Sequence, residues 1–175
     1  MVGDMSELDE GPRQVLPRDL AVETPWSLEG GDIEKRATPP TYDEIADGIA
    51  PADDPDKWFS DVERGSAGWL RRRGVDVRSV QRREGYLLKT PDAVAVTVPV
   101  TVEIKRATGT LNSIVQRVRD GRWQSRRVMV DVRGTGTTPA TVEVAVRTAL
   151  IRYQRDLDEV VIVVSDDLSV GWAHG

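Results

Sequence analysis

Thr90-Pro91-Asp92-Ala93-Val94-Ala95-Val96-Thr97-Val98-Pro99-Val100-Thr101-Val102-Glu103-Ile104-Lys105 is the stretch on which the reading of this chain turns. Its β-branched runs, Ala93 to Val98 and Val100 to Ile104, read as strands, and Pro99 marks a bend or an edge between them. Side chains alternate faces along a strand, so Glu103 and Lys105 share one side of the sheet and Ile104 takes the other. With the first strand running antiparallel to the second, Asp92 at its start lies close to the end of the next. The carboxylates of Asp92 and Glu103 then converge.

That convergence suits metal-assisted phosphodiester chemistry. Hard divalent cations such as Mg²⁺ prefer oxygen and usually take one or two protein carboxylates together with phosphate oxygens and waters. Such an ion activates water and neutralises charge developing on the scissile phosphate. Lys105, one step along the same face, can hold the attacking water or stabilise that charge. Asp92 and Glu103 are therefore the expected metal ligands, with Lys105 beside them. As a bare string the pattern is weak, because Glu/Lys alternation is also the ordinary wet face of a half-buried strand. Its placement in two β-branched runs sets it apart.

The rest of the composition narrows the chemistry. The chain has 175 residues, no cysteine and a single histidine, His174, beside the C-terminus. Without cysteine there are no disulfides, thiolate metal sites or cysteine nucleophiles. A histidine at a chain end is a poor catalyst, so Ser-His-Asp hydrolases, two-histidine ribonucleases and histidine-metal nucleases lose their central residue. Carboxylate and lysine chemistry remains. No apolar run approaches the roughly 20 residues that span a bilayer, so no membrane anchor is expected. The acidic start MVGDMSELDE has no apolar core of a secretory signal.

Net charge is −5, yet it is unevenly placed. Residues 1–60 hold 15 Asp and Glu against 5 Lys and Arg, whereas residues 61–127 hold 7 against 15. An acidic tail beside a basic binding face is the implied arrangement. Residues 1–50 show no sustained periodicity and read as an acidic, largely irregular leader, with one short helix expected over Thr41 to Ala46. Pro51 to Asp56 reads as the hinge into a folded domain of residues 51–175.

Within that domain the periodicities predict an α/β architecture, a mixed sheet flanked by helices. Phe59, Val62, Ser66, Trp69 and Leu70 form a helical stripe closed by Gly74. Val75, Val77 and Ser79 then read as a first strand, ahead of the Asp92 to Lys105 pair. Leu111, Ile114, Val115 and Val118 predict a second helix ending near Gly121. Val128 to Val132 reads as a buried strand, and Pro139 opens a third helix carrying Val142, Val146, Ala149, Leu150 and Tyr153. Val160 to Val164 closes the order as a last strand, and Gly134-Thr135-Gly136 reads as a plain connection.

These residues, in this order, resemble the PD-(D/E)xK nuclease superfamily, with its restriction-endonuclease-like core. More narrowly, residues 40 to 165 look like the C-terminal tRNA-nuclease domain of contact-dependent growth inhibition toxins, in the polymorphic-toxin branch. The likeness runs through Pro39-Pro40-Thr41-Tyr42-Asp43-Glu44-Ile45-Ala46-Asp47-Gly48, then Glu63, Trp69-Leu70 and Gly74-Val75-Asp76-Val77. It continues through Thr90-Pro91-Asp92-Ala93-Val94, Val102-Glu103-Ile104-Lys105, Gly121, Gln124 and the strand Val128 to Arg133-Gly134. It implies a toxin endoribonuclease that cleaves tRNA in the cytoplasm of a target cell and is held in check by a cognate immunity protein. It also carries over Glu63, Asp92, Glu103 and Lys105 as active-site positions. Read without the resemblance, Glu63 is a solvated helix acid.

Substrate contacts are expected from the second helix onward. Arg117, Arg119 and Arg122 are either a solvated charge face or phosphate clamps. Trp123, between Arg122 and Gln124, is the best placed of the five tryptophans to stack on an unpaired base, and Gln124 could position a phosphate or base. Trp58 and Trp69 read as core. The competing functions are a DNA endonuclease of the same superfamily and a catalytically silent interaction protein.

Overall fold

The computed structural model describes residues 13–14, 38–51, 53–82 and 89–174. The start MVGDMSELDE and most of the acidic leader, residues 1–12 and 15–37, lie outside them. The strands are β1 (Arg13–Gln14), β2 (Val77–Ser79), β3 (Ala93–Ala95), β4 (Val100–Arg106), β5 (Arg127–Asp131), β6 (Glu159–Val163) and β7 (Ser169–Ala173). The α-helices are α1 (Tyr42–Ile45), α2 (Asp61–Arg71), α3 (Leu111–Gly121) and α4 (Pro139–Tyr153).

The strands form one mixed sheet in the order β1-β7-β6-β5-β4-β3-β2. β4, β5 and β6 are parallel and joined through α3 and α4, while β3 runs antiparallel to both β2 and β4. The expected hairpin is present, with Ala93 opposite Val102 and Ala95 opposite Val100. The first run is shorter than its β-branched residues suggest, because the chain turns at residues 96–99 and Val98 is exposed.

Alternation along β5 divides the core between two faces. Val128 and Val130 pack with Ile114, Val118, Val142 and Val146 of α3 and α4. Met129, between them, packs with Trp69 of α2 and Val163. Each such side chain, fully buried, contributes roughly 1.5–3 kcal/mol. Helix α2 also covers Ala93, Ala95 and Ile104 with Ala67, beside Phe59 and Val77. Helices thus flank the sheet on both faces.

The helix boundaries follow from capping. Ser60 caps α2 and Glu63 completes a capping box. At the other end Gly74 adopts φ +81°, and Val75 N–H donates to Leu70 O at 3.1 Å while Gly74 N–H donates to Arg71 O at 3.0 Å. That pair of bonds makes a Schellman stop, for which glycine is the residue without steric cost. Thr138 caps α4, with Pro139 in its first turn.

Three expectations are corrected. The sheet does not end with the strand at Val160: β7 follows it, antiparallel to β6, and buries Trp172. Val62, placed in the buried stripe of α2, is exposed, and Phe59 before the helix fills the core instead. Packing also extends upstream of residue 51, since Ile45 of α1 is buried against Val80 and Val94, and Ile49 bridges to Val80. Short β1 lies parallel to β7 at the far edge. No helix among the described residues is long and apolar enough to cross a membrane.

Candidate active site

The hairpin register puts Asp92, just before β3, opposite Glu103 on β4. Backbone amides then fix both carboxylates. Ile104 N–H donates to Asp92 Oδ2 at 3.2 Å, and Asp92 N–H donates to Glu103 Oε2 at 3.1 Å. Each acid is left with one oxygen for other partners. Lys105 Nζ pairs with Glu103 Oε1, as their shared strand face requires, and reaches Gln124 Oε1 at 3.4 Å. Gln124 Nε2 in turn donates to Thr90 O at 3.2 Å, which ties the start of the hairpin to the segment after α3.

Glu63 reaches the same cluster from the first turn of α2. Its Oε2 accepts from Ser60 N–H at 2.7 Å in the capping box, so its place is set by the helix start itself. Its Oε1 faces Arg82 Nη2 at 3.0 Å, and the same nitrogen lies 3.1 Å from Asp92 Oδ1. Four residues expected in the active site, Glu63, Asp92, Glu103 and Lys105, are therefore joined by direct or bridged contacts. Gln124 belongs with them.

Burial sets the electrostatics. Asp92 is 4% exposed and Glu103 is fully buried at 0%. Burial raises the pKa of Asp92, Glu63 adds to the rise, and Lys105 and Arg82 oppose it. Burial pushes Glu103 well above the usual carboxylate range, helped by the charge of Asp92 and opposed by Lys105. For Arg82 burial works against the charge, but Asp92, Glu63 and Glu103 outweigh it and its pKa is raised. An open cleft of about 440 Å³ adjoins this cluster, lined by Trp58, Phe59, Ser60, Glu63, Gln81 and Arg82.

The cluster's donor chemistry is hard oxygen, as a cation like Mg²⁺ prefers. The oxygens not engaged by backbone amides are Glu63 Oε1 and Asp92 Oδ1, which meet Arg82, and Glu103 Oε1, which meets Lys105. No group of three or more His, Cys, Asp or Glu side chains placed to hold a metal occurs among the described residues. A cation here would draw its remaining ligands from water and phosphate, which is the ordinary habit of Mg²⁺.

The other expected substrate contacts are distributed differently. Arg117 and Arg119 are exposed on α3, and Arg119 pairs with Asp120. Arg122 turns inward: its side chain is 11% exposed, paired with Asp156 at 3.0 Å, and lies over the rings of both Trp123 and Tyr153. Trp69 is core, as expected, whereas half-buried Trp58 lines the cleft beside the acids.

Sequence reading missed two features. Arg82 is one, since its partners lie 10 and 19 residues away with no periodic signal to connect them. Asp131, inside an apolar strand, is held by Ser66 Oγ at 3.1 Å and by Arg133 Nη2 at 2.7 Å. Burial works against its charge, but the hydrogen bonds from Arg133 prevail and its pKa is lowered. An acid within a buried apolar run was the available signal, since such residues are seldom buried unpaired.

No protein-family model matches the chain, and no curated protein does. Among solved structures, one described as a CdiA-CT/CdiI toxin and immunity complex from Burkholderia pseudomallei is similar, at 21% sequence identity and a TM-score of 0.47, over 64% of this chain and 82% of that one.

Proposed function

We propose that this chain is a toxin-type nuclease, an endoribonuclease that cleaves tRNA with the help of a divalent cation such as Mg²⁺ and is restrained by a cognate immunity protein. The observation that carries the proposal is the linked cluster of buried Glu63, Asp92 and Glu103 with half-buried Lys105 and Gln124, beside a cleft that Glu63 lines. The sequence resemblance names four of these five, Glu63, Asp92, Glu103 and Lys105, as active-site positions.

Asp92 and Glu103 would hold the cation, and Glu63 lies at the edge of the set. When bound, the ion supplies Lewis-acid stabilisation of the charge that develops on a scissile phosphate. The residues themselves contribute preorganisation. Backbone donors from Asp92 and Ile104 prevent the two carboxylates from rotating away, so little reorganisation is needed during reaction. Lys105, steadied by Glu103 and Gln124, brings a positive N–H donor to a phosphate oxygen or to the attacking water. The surplus of basic residues over 61–127 supports a polyanionic substrate, with Arg117 and Arg119 as phosphate contacts. Trp123 is the proposed base-stacking residue.

The test is incubation of the purified protein with total tRNA and with plasmid DNA, in Mg²⁺ or in chelator. Cleavage of tRNA that requires Mg²⁺, with plasmid left intact, is the expected result. Plasmid cleavage with tRNA spared would make it a DNA endonuclease. Inertness towards both would leave an interaction protein.

A further inference from the structure

Arg82 occupies an unusual position for a surface arginine. Its Nη2 alone bridges two carboxylates from separate elements, Glu63 Oε1 at 3.0 Å from α2 and Asp92 Oδ1 at 3.1 Å from the start of the hairpin. Those acids are nearly enclosed, with side chains 11% and 2% exposed, while the arginine is 68% exposed. The guanidinium therefore covers the acids from the solvent side. The oxygen it takes from Asp92 is the one that the backbone leaves over.

Charge explains the arrangement. Glu63, Asp92 and Glu103 are faced by Arg82 and Lys105, and the two cations have different roles in the packing. Lys105 is 20% exposed and pairs with the buried Glu103, so it is part of the interior. Arg82 reaches in from water, which screens its hold on the two acids and makes it the more easily displaced of the two cations. Arginine cannot shed its proton, so it leaves the cluster only by moving. Its departure would expose a second uncompensated carboxylate charge at the cleft, which a divalent cation neutralises.

We infer that Arg82 is a built-in stand-in for the cation, holding Glu63 and Asp92 together until a divalent ion displaces it, and that it thereby sets the protein's metal affinity. This rests on reading Asp92 and Glu103 as cation ligands. Displacement frees the guanidinium beside a cleft lined by Trp58 and Gln81, where it becomes available to a phosphate oxygen.

Isothermal titration of the full chain with MnCl₂ tests this without reference to activity. Wild type, Arg82→Gln and Asp92→Asn are compared, with circular dichroism confirming that each is folded. Arg82→Gln should bind Mn²⁺ about fivefold to tenfold more tightly, the equivalent of two weak surface pairs no longer in competition. Asp92→Asn should lose binding. Unchanged or weakened affinity in Arg82→Gln, with wild-type binding that depends on Asp92, would overturn the role of Arg82 and leave the metal reading standing. Absence of binding in both wild type and Arg82→Gln, or full binding in Asp92→Asn, would overturn the metal reading and this inference together.

Discussion

Replacing Lys105 by Met preserves most of the side chain's length and removes its charge from beside a fully buried glutamate. Breaking a buried ion pair by deleting one member costs about 3–5 kcal/mol, because the remaining charge stays uncompensated. Lys105 is 20% exposed, so the lower end applies, about 3 kcal/mol, or about 6–12 °C in Tm for a chain of this size. The loss must depend on pH. Burial and Asp92 raise the pKa of Glu103 and Lys105 opposes them, so Lys105→Met raises it further. A carboxyl with a folded pKa above its unfolded value near 4.3 contributes fully to stability below that value, and loses the contribution as pH climbs through the folded one. The variant should therefore lie close to wild type near about pH 4 and fall furthest behind near about pH 8. Urea unfolding in chelator at both pH values measures this. Adding Glu103→Gln to Lys105→Met should recover about 1 kcal/mol or more at the higher pH, as neighbours in one network couple. A loss under about 1 kcal/mol at both pH values, the behaviour of an exposed strand lysine, would refute the buried-pair argument.

Two further outcomes follow from the charge distribution and from α1. Arg117→Ala with Arg119→Ala should weaken RNA binding and flatten the dependence of log affinity on log salt by about 1.4–1.8, from two lost phosphate contacts; an unchanged slope would move the binding face elsewhere. A chain begun at Thr41 keeps Ile45 against Val80 and Val94, whereas one begun at Pro51 should lose about 2–4 kcal/mol in urea unfolding. Equal stability of the two would put the edge of the folded unit back at residue 51.

Local signals carried most of the architecture. The hairpin, α3 and α4 were legible because β-branched runs mark the strands, apolar residues three to four apart mark the helices, and Pro99 and Pro139 punctuate them. The approach of Glu103 to Asp92 was legible for the same reason, since strand alternation and one turn determine it. Arg82 was not, because only the folded chain brings its loop against both α2 and the hairpin. β7 was missed because Ser169-Val170-Gly171-Trp172-Ala173 contains a glycine and lacks a β-branched run, although the sheet buries four of its five residues. Glu63 shows how one residue can serve two ends. The string Ser60-Asp61-Val62-Glu63 announces a capping box, and the bond that starts α2 also aims the other carboxylate oxygen at the acid cluster.

The central claim is that Asp92, Glu103 and Lys105 act as one catalytic unit. Initial rates of tRNA cleavage in Mg²⁺ by wild type, Asp92→Asn, Glu103→Gln, Lys105→Ala and the Asp92→Asn/Glu103→Gln double variant test it most directly, with circular dichroism confirming that each is folded. The account predicts that every single variant loses cleavage and that the double variant is no slower than the singles, because removing one member already disables the unit. Folded variants that all cut tRNA at the wild-type rate would contradict it.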